Sequence, residues 1–134
     1  MPTPIASFGN NSALGGEINE KLLPEYEIVH ASVDLASALK ELPALAGGDL
    51  SVTPSSGFGT NAGSSSPQAP KAIIIGGTVP ADETAQLTAA VAAAAPGVKI
   101  ITISREDIVA AGGSGPDPGV IVSVFKKKLA DEGI

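Results

Sequence analysis

The sequence predicts an α/β domain: a three-layer sandwich with helices on both faces of a mostly parallel sheet of four or five strands. Three observations point there. Strand-like and helix-like segments alternate from the start of the chain. Residues 71–75 (KAIII) form a continuous apolar run, as expected of a central parallel strand buried on both faces. The apolar fraction is 43%, yet it contains only three Phe, one Tyr and no Trp, so the core is aliphatic and lets helices lie close on a sheet. At 134 residues the length suits one domain, residues 1–134, interrupted by a flexible loop at about 51–70.

Residues 5–8 read as the first strand, opening into a Gly9-Asn10-Asn11 turn. Leu14, Ile18 and Leu22 then recur every four residues, the spacing of one helix face, until Pro24 stops the helix. Residues 26–31 (YEIVHA) read as the second strand. Ser32 or Asp34 caps the helix after it, whose apolar face carries Leu35, Ala38, Leu39 and Leu42 and which Pro43 bends or ends. Two strand–helix units this close together imply right-handed crossovers and parallel strands.

From Gly47 the pattern changes. Residues 50–70 contain no charge and are dense in Ser, Gly, Pro and Thr, although residues 48–52 have the makings of a short edge strand. Within this stretch, residues 55–69 are expected to be mobile and dispensable for folding. After the 71–75 strand and Gly76-Gly77-Thr78, Pro80 falls in the first turn of a helix carrying Leu87 and Val91, which Pro96-Gly97 ends. Residues 98–103 (VKIITI) are the next strand. Ser104 to Asp107 resembles a capping box before a short helix, and Asp117-Pro118 opens a last helix that buries Ile121, Val124, Phe125 and Leu129.

Charge and residue types narrow the function. Fourteen acidic residues against eight basic give a net charge of −6, which disfavours nucleic acid and anionic membranes as partners. The basic run Lys126-Lys127-Lys128 sits near a helix C-terminus, where it complements the dipole and reads as a solvated face. With no cysteine, thiolate chemistry and disulfides are out. The first residues lack the basic-then-apolar pattern of a signal peptide, and no apolar run approaches the roughly 20 residues of a membrane span, so a cytoplasmic protein is expected. A single His, inside a strand with no partner acid evident, leaves little for acid–base work and disfavours an enzyme.

Ligands of parallel α/β sheets bind beyond the carboxyl ends of the strands. Here those positions hold Gly9, Asn10, Asn11 and Ser12, then Gly76, Gly77 and Thr78, then Ser104. A glycine directly after the first strand admits a phosphate to the backbone, and the following helix N-terminus attracts it. The same glycines also suit a tight turn and close helix–strand packing, and Thr78 also suits a helix cap.

Residues 5–50 resemble the opening of atypical short-chain dehydrogenase/reductases, the NAD(P)-binding group that includes NmrA-like proteins. Gly9 and Gly15 match the first and last glycines of that group's Gly-x-x-Gly-x-x-Gly turn, with Ser12 in place of the middle one. Asp49, in Gly48-Asp49-Leu50, matches an acidic position near the adenine, and residues 71–77 match a later strand and its small-residue turn. The resemblance implies a nucleotide at the Gly9 turn, with NAD(P) or a mononucleotide as the cofactor class. The group's Tyr-x-x-x-Lys pair is absent, since the sole tyrosine, Tyr26, is followed four residues on by His30. The expectation is therefore a non-catalytic, Rossmann-like or flavodoxin-like module for a small phosphorylated ligand, with homo-oligomerisation left open. The competing expectation is a protein-interaction or structural domain with no small-molecule site. If residues 49–52 form a strand the sheet order is 3-2-1-4-5, and if not it is 2-1-3-4.

Overall fold

The structure is a computed structural model that describes residues 3–9, 17–18, 20–23, 25–54, 59–61, 67–76, 79–103, 105–110, 112 and 118–134. Four strands, β1 (Thr3–Phe8), β2 (Tyr26–Ser32), β3 (Ala72–Ile75) and β4 (Lys99–Thr102), form one sheet in the order β2-β1-β3-β4. Every pairing is parallel. This is the 2-1-3-4 order, and it follows because residues 49–52 are turn and coil rather than strand.

Alternation along the strands divides the core into two sheets of contacts. Ile5, Ile28, Ile74 and Ile101 face Phe125, Leu129 and Ile121 on one side, together with Ile18 and Leu22 from helical residues 17–18 and 20–22. Ala6, Phe8, Ile73 and Ile75 face Leu42, Leu87 and Val91 on the other. The first side is covered by α4 (Pro118–Asp131) and the second by α1 (Leu35–Ala46) and α2 (Ala81–Ala94), while α3 (Arg105–Ala110) follows β4. The helix after β1 thus lies on the opposite face from those after β2 and β3, as right-handed crossovers require when the chain first moves one way and then reverses. All four residues of β3 are buried, which is why KAIII is apolar without alternation; Lys71 stays exposed just before it.

Asp34 is the cap of α1, accepting from the Ser37 backbone N–H at 2.8 Å. The helix runs through Pro43 to Ala46 rather than ending there. The proline removes one backbone donor, but its ring and Leu42 and Leu45 on either side are buried, and that packing carries the helix one more turn. It stops at Gly48, whose φ of +108° a side chain disfavours. Gly48 N–H donates to Leu45 and Asp49 N–H to Ala44, the paired bonds of a Schellman stop. The expected caps at Ser104 and Asp117 lie outside the described residues.

The stretch expected to be mobile, residues 55–69, makes hydrogen bonds to β2 and within itself in its described parts. Residues 59–61 lie along the outer edge of β2, where Thr60 N–H donates to Ile28 O at 3.1 Å and Asn61 N–H to Val29 O at 2.8 Å. Two successive carbonyls face outward there because the β1–β2 register steps from Ile5↔Ile28 to Ala6↔His30, leaving Val29 as a bulge. Gly59, at φ +121°, passes so close that a Cβ would lie 2.6 Å from Val29 O. The buried Asn61 side chain then holds residue 68 from both sides, donating to Gln68 O and accepting from Gln68 N–H, each at 2.9 Å. Composition hid this, because backbone amides and one asparagine do the anchoring. The strap occupies the edge where a Rossmann order would place its third strand.

No helix among the described residues is long and apolar enough to cross a membrane. Two of the three clustered lysines are paired rather than merely solvated: Lys126 with Glu25, and Lys128 with Asp107 at 2.8 Å.

Candidate functional site

Strand order creates the site. The chain leaves β1 toward β2 and leaves β3 toward β4, so the order reverses between these two strands, the switch point at which parallel α/β sheets bind ligands. Gly9 and Gly76 flank it. Phe8 pairs with Ile75, and Gly76 N–H donates to Phe8 O at 3.0 Å. A Cβ on Gly76 would lie 3.9 Å from the Gly9 Cα, so the two glycines touch across the strand ends. Above Gly9 a Cβ would meet nothing within 4 Å among the described residues.

Bare backbone at the switch point lets a bulky anionic group approach closely. It does not supply every donor. Gly9 N–H is already spent on Ser32 O at 3.1 Å, and Gly76 N–H on Phe8. Neither of these two amides is therefore left to donate to an anion. Asn10, Asn11, Ser12, Gly15, Gly77 and Thr78 lie outside the described residues.

Asp49 is placed elsewhere. It follows the C-terminus of α1, a 12-residue helix that starts near the carboxyl end of β2 and runs back along the sheet for about 18 Å. It therefore sits toward the opposite end of the strands from Gly9. There its carboxylate accepts from the Ser51 backbone at 3.1 Å, and the Ser51 hydrogen bonds, side chain first, hold its pKa below the ordinary carboxylate value. The geometry gives Asp49 a turn-forming role.

His30 has a partner that sequence spacing concealed. Its ring is fully buried between β2 and α1, with Nε2 2.8 Å from Glu41 Oε1, and Glu41 is itself 6% exposed. Eleven positions separate the two, because a turn and two turns of α1 bring them together. Burial lowers the His30 pKa more than the Glu41 carboxylate raises it. His30 Nδ1 and Ser32 Oγ, two residues apart on the same face of β2, are buried with no hydrogen-bond partner among the described residues. The buried dyad joins α1 to the sheet. Among the described residues no group of three or more His, Asp or Glu is placed to hold a metal.

Fold and crevice together define a doubly wound α/β protein with a bare-backbone switch point. No family model matches the sequence, and no solved structure matches it. Kojic acid related protein 6 of Aspergillus oryzae is 30% identical over 132 residues, covering 96% of this chain and 76% of that protein. The chain belongs to the family of that protein.

Proposed function

We propose that this protein is a non-catalytic, cytoplasmic binding module for a small phosphorylated ligand, held in the crevice between Gly9 and Gly76. One observation carries the reading: two glycines abut at the carboxyl ends of β1 and β3, where the strand order reverses, and no described atom lies within 4 Å of a Cβ at Gly9. The resemblance to NmrA-like proteins supports a nucleotide. Ser12 in place of a glycine narrows the turn, which favours a mononucleotide or a single phosphate over a full dinucleotide. The competing reading, an interaction domain using an apolar surface, has less support. The large hydrophobic residues exposed among the described ones are Leu23, Leu50 and Val109, none of them on β4 or α4.

Calorimetry with AMP, ATP, NAD and inorganic phosphate tests the proposal, with kojic acid as an added probe because the Aspergillus relative bears its name. Gly9→Val fills the open space without meeting a described atom, so it keeps the fold by circular dichroism. The expected result is binding of at least one phosphate-bearing probe, weakened at least tenfold (about 1.4 kcal/mol) by Gly9→Val. No binding at millimolar probe, or binding indifferent to Gly9→Val, overturns it.

A further inference from the structure

His30 is fully buried although its strand, β2, has a neighbouring strand on one side only. On the inner side it pairs with Ala6 of β1, and α1 meets its ring through Glu41. Its outer side meets the strap. A Cβ on Gly59 would lie 2.8 Å from both the Cα and the backbone N of His30. Thr60 and Asn61 donate to the two carbonyls just before it, those of Ile28 and Val29.

The hydrogen bond to Glu41 decides where a second proton must go. An ionised carboxylate accepts from Nε2–H at 2.8 Å, so the neutral ring keeps its lone pair on Nδ1. Nδ1 is buried with no hydrogen-bond partner among the described residues. Protonating it creates a buried N–H without an acceptor, which water alone can satisfy. Glu41 is the one ionisable group brought to the ring among the described residues. β1 and residues 59–61 carry no ionisable side chain, and on α1 Lys40 is exposed, while the exposed Asp34 that caps it is bound to Ser37.

The three walls around His30 differ in strength. β1 is an inner strand, paired on both sides. α1 is pinned to the sheet by Ala38, Leu42 and Leu45, none of which is exposed. The strap meets β2 through two backbone hydrogen bonds, and its Asn61 side chain is engaged with Gln68 instead. We infer that residues 59–61 are an acid-released latch: proton uptake at His30 Nδ1 lifts them from β2 and admits water, while the sheet and α1 stay in place. Release frees the Ile28 and Val29 carbonyls at the sheet edge. The latch works without a ligand at the switch point, so the two proposals stand or fall separately.

Amide hydrogen exchange of the whole chain by NMR, from about pH 7.5 to about pH 5, is the test, with rates expressed relative to the unfolded chain at each pH. Thr60 and Asn61 are expected to be less protected than Ile74 of the inner strand β3 at every pH, because they open locally. Their protection should fall by about tenfold or more across the range, as the opened state takes up a proton near pH 6.5. His30→Leu combined with Glu41→Leu should abolish that fall. Should the double variant not fold, His30→Gln replaces it, keeping a donor for Glu41 that does not titrate. Protection at Thr60 and Asn61 equal to that at Ile74 would mean release only with the whole domain and overturns the inference. So does protection independent of pH, or a fall that persists without His30.

Discussion

Ile74→Asp is expected to abolish folding. Ile74 is 3% exposed in β3, between β1 and β4, and packs in the cluster that includes Phe125 and Leu129. The change forfeits about 1.5–3 kcal/mol of apolar burial. It also buries a carboxylate with no cation in its cluster, at a cost of several kcal/mol more. The sum approaches the whole stability of a domain this size, about 5–15 kcal/mol. Urea melts followed by circular dichroism decide it: the variant should show no cooperative transition. A soluble Ile74→Asp protein that melts cooperatively would place β3 outside the core.

Breaking the His30–Glu41 pair should have the next largest effect. Glu41→Ala leaves a buried neutral imidazole without its hydrogen-bond partner and should cost about 1–3 kcal/mol. Replacing both residues by Leu removes the need for pairing, so that double variant should lie within about 1 kcal/mol of wild type. The sign of the pH dependence follows from burial, which lowers the His30 pKa in the folded protein. The folded state keeps the ring neutral while the unfolded chain takes up a proton near pH 6.5. Stability tied to His30 is therefore complete above about pH 6.5 and is lost as pH falls through the lower folded value. The double variant should lack this acid-sensitive component. A single variant costing under about 1 kcal/mol, or an unchanged acid limb in the double variant, would contradict the pairing.

The layers of the fold were legible because burial writes itself into residue type. Residues 72–75 (AIII) are apolar without alternation because β3 is an inner strand whose four residues are all buried, between helices on both faces. Leu35, Leu39 and Leu42 are spaced for one helix face because that face meets the sheet. What could not be read depends on contacts between distant segments. Nothing in the spacing of His30 and Glu41 announces a pair, since the turn geometry before α1 sets their distance. Gly59 looks like one more loop glycine until β2 is seen to pass within 2.6 Å of where its Cβ would be. Asp49 matched an acidic position near the adenine through the likeness of Gly48-Asp49-Leu50 to an NmrA-like segment; those residues instead end a helix, and Ser51 donates to the carboxylate. The switch point was partly legible. Gly9 and Gly76 were read as lying beyond strand ends and do follow β1 and β3 directly, where they touch, but both amides are already bonded within the sheet.

Ligand binding at the switch point is tested most directly by an amide-resolved NMR titration of the whole chain with ATP and, separately, inorganic phosphate. Saturable shifts are expected, largest at Gly9, Gly76 and the residues just after Gly9, with Asp49 unmoved at the far end of α1. Shifts absent at both glycines at millimolar ligand, or largest around Asp49, would contradict it.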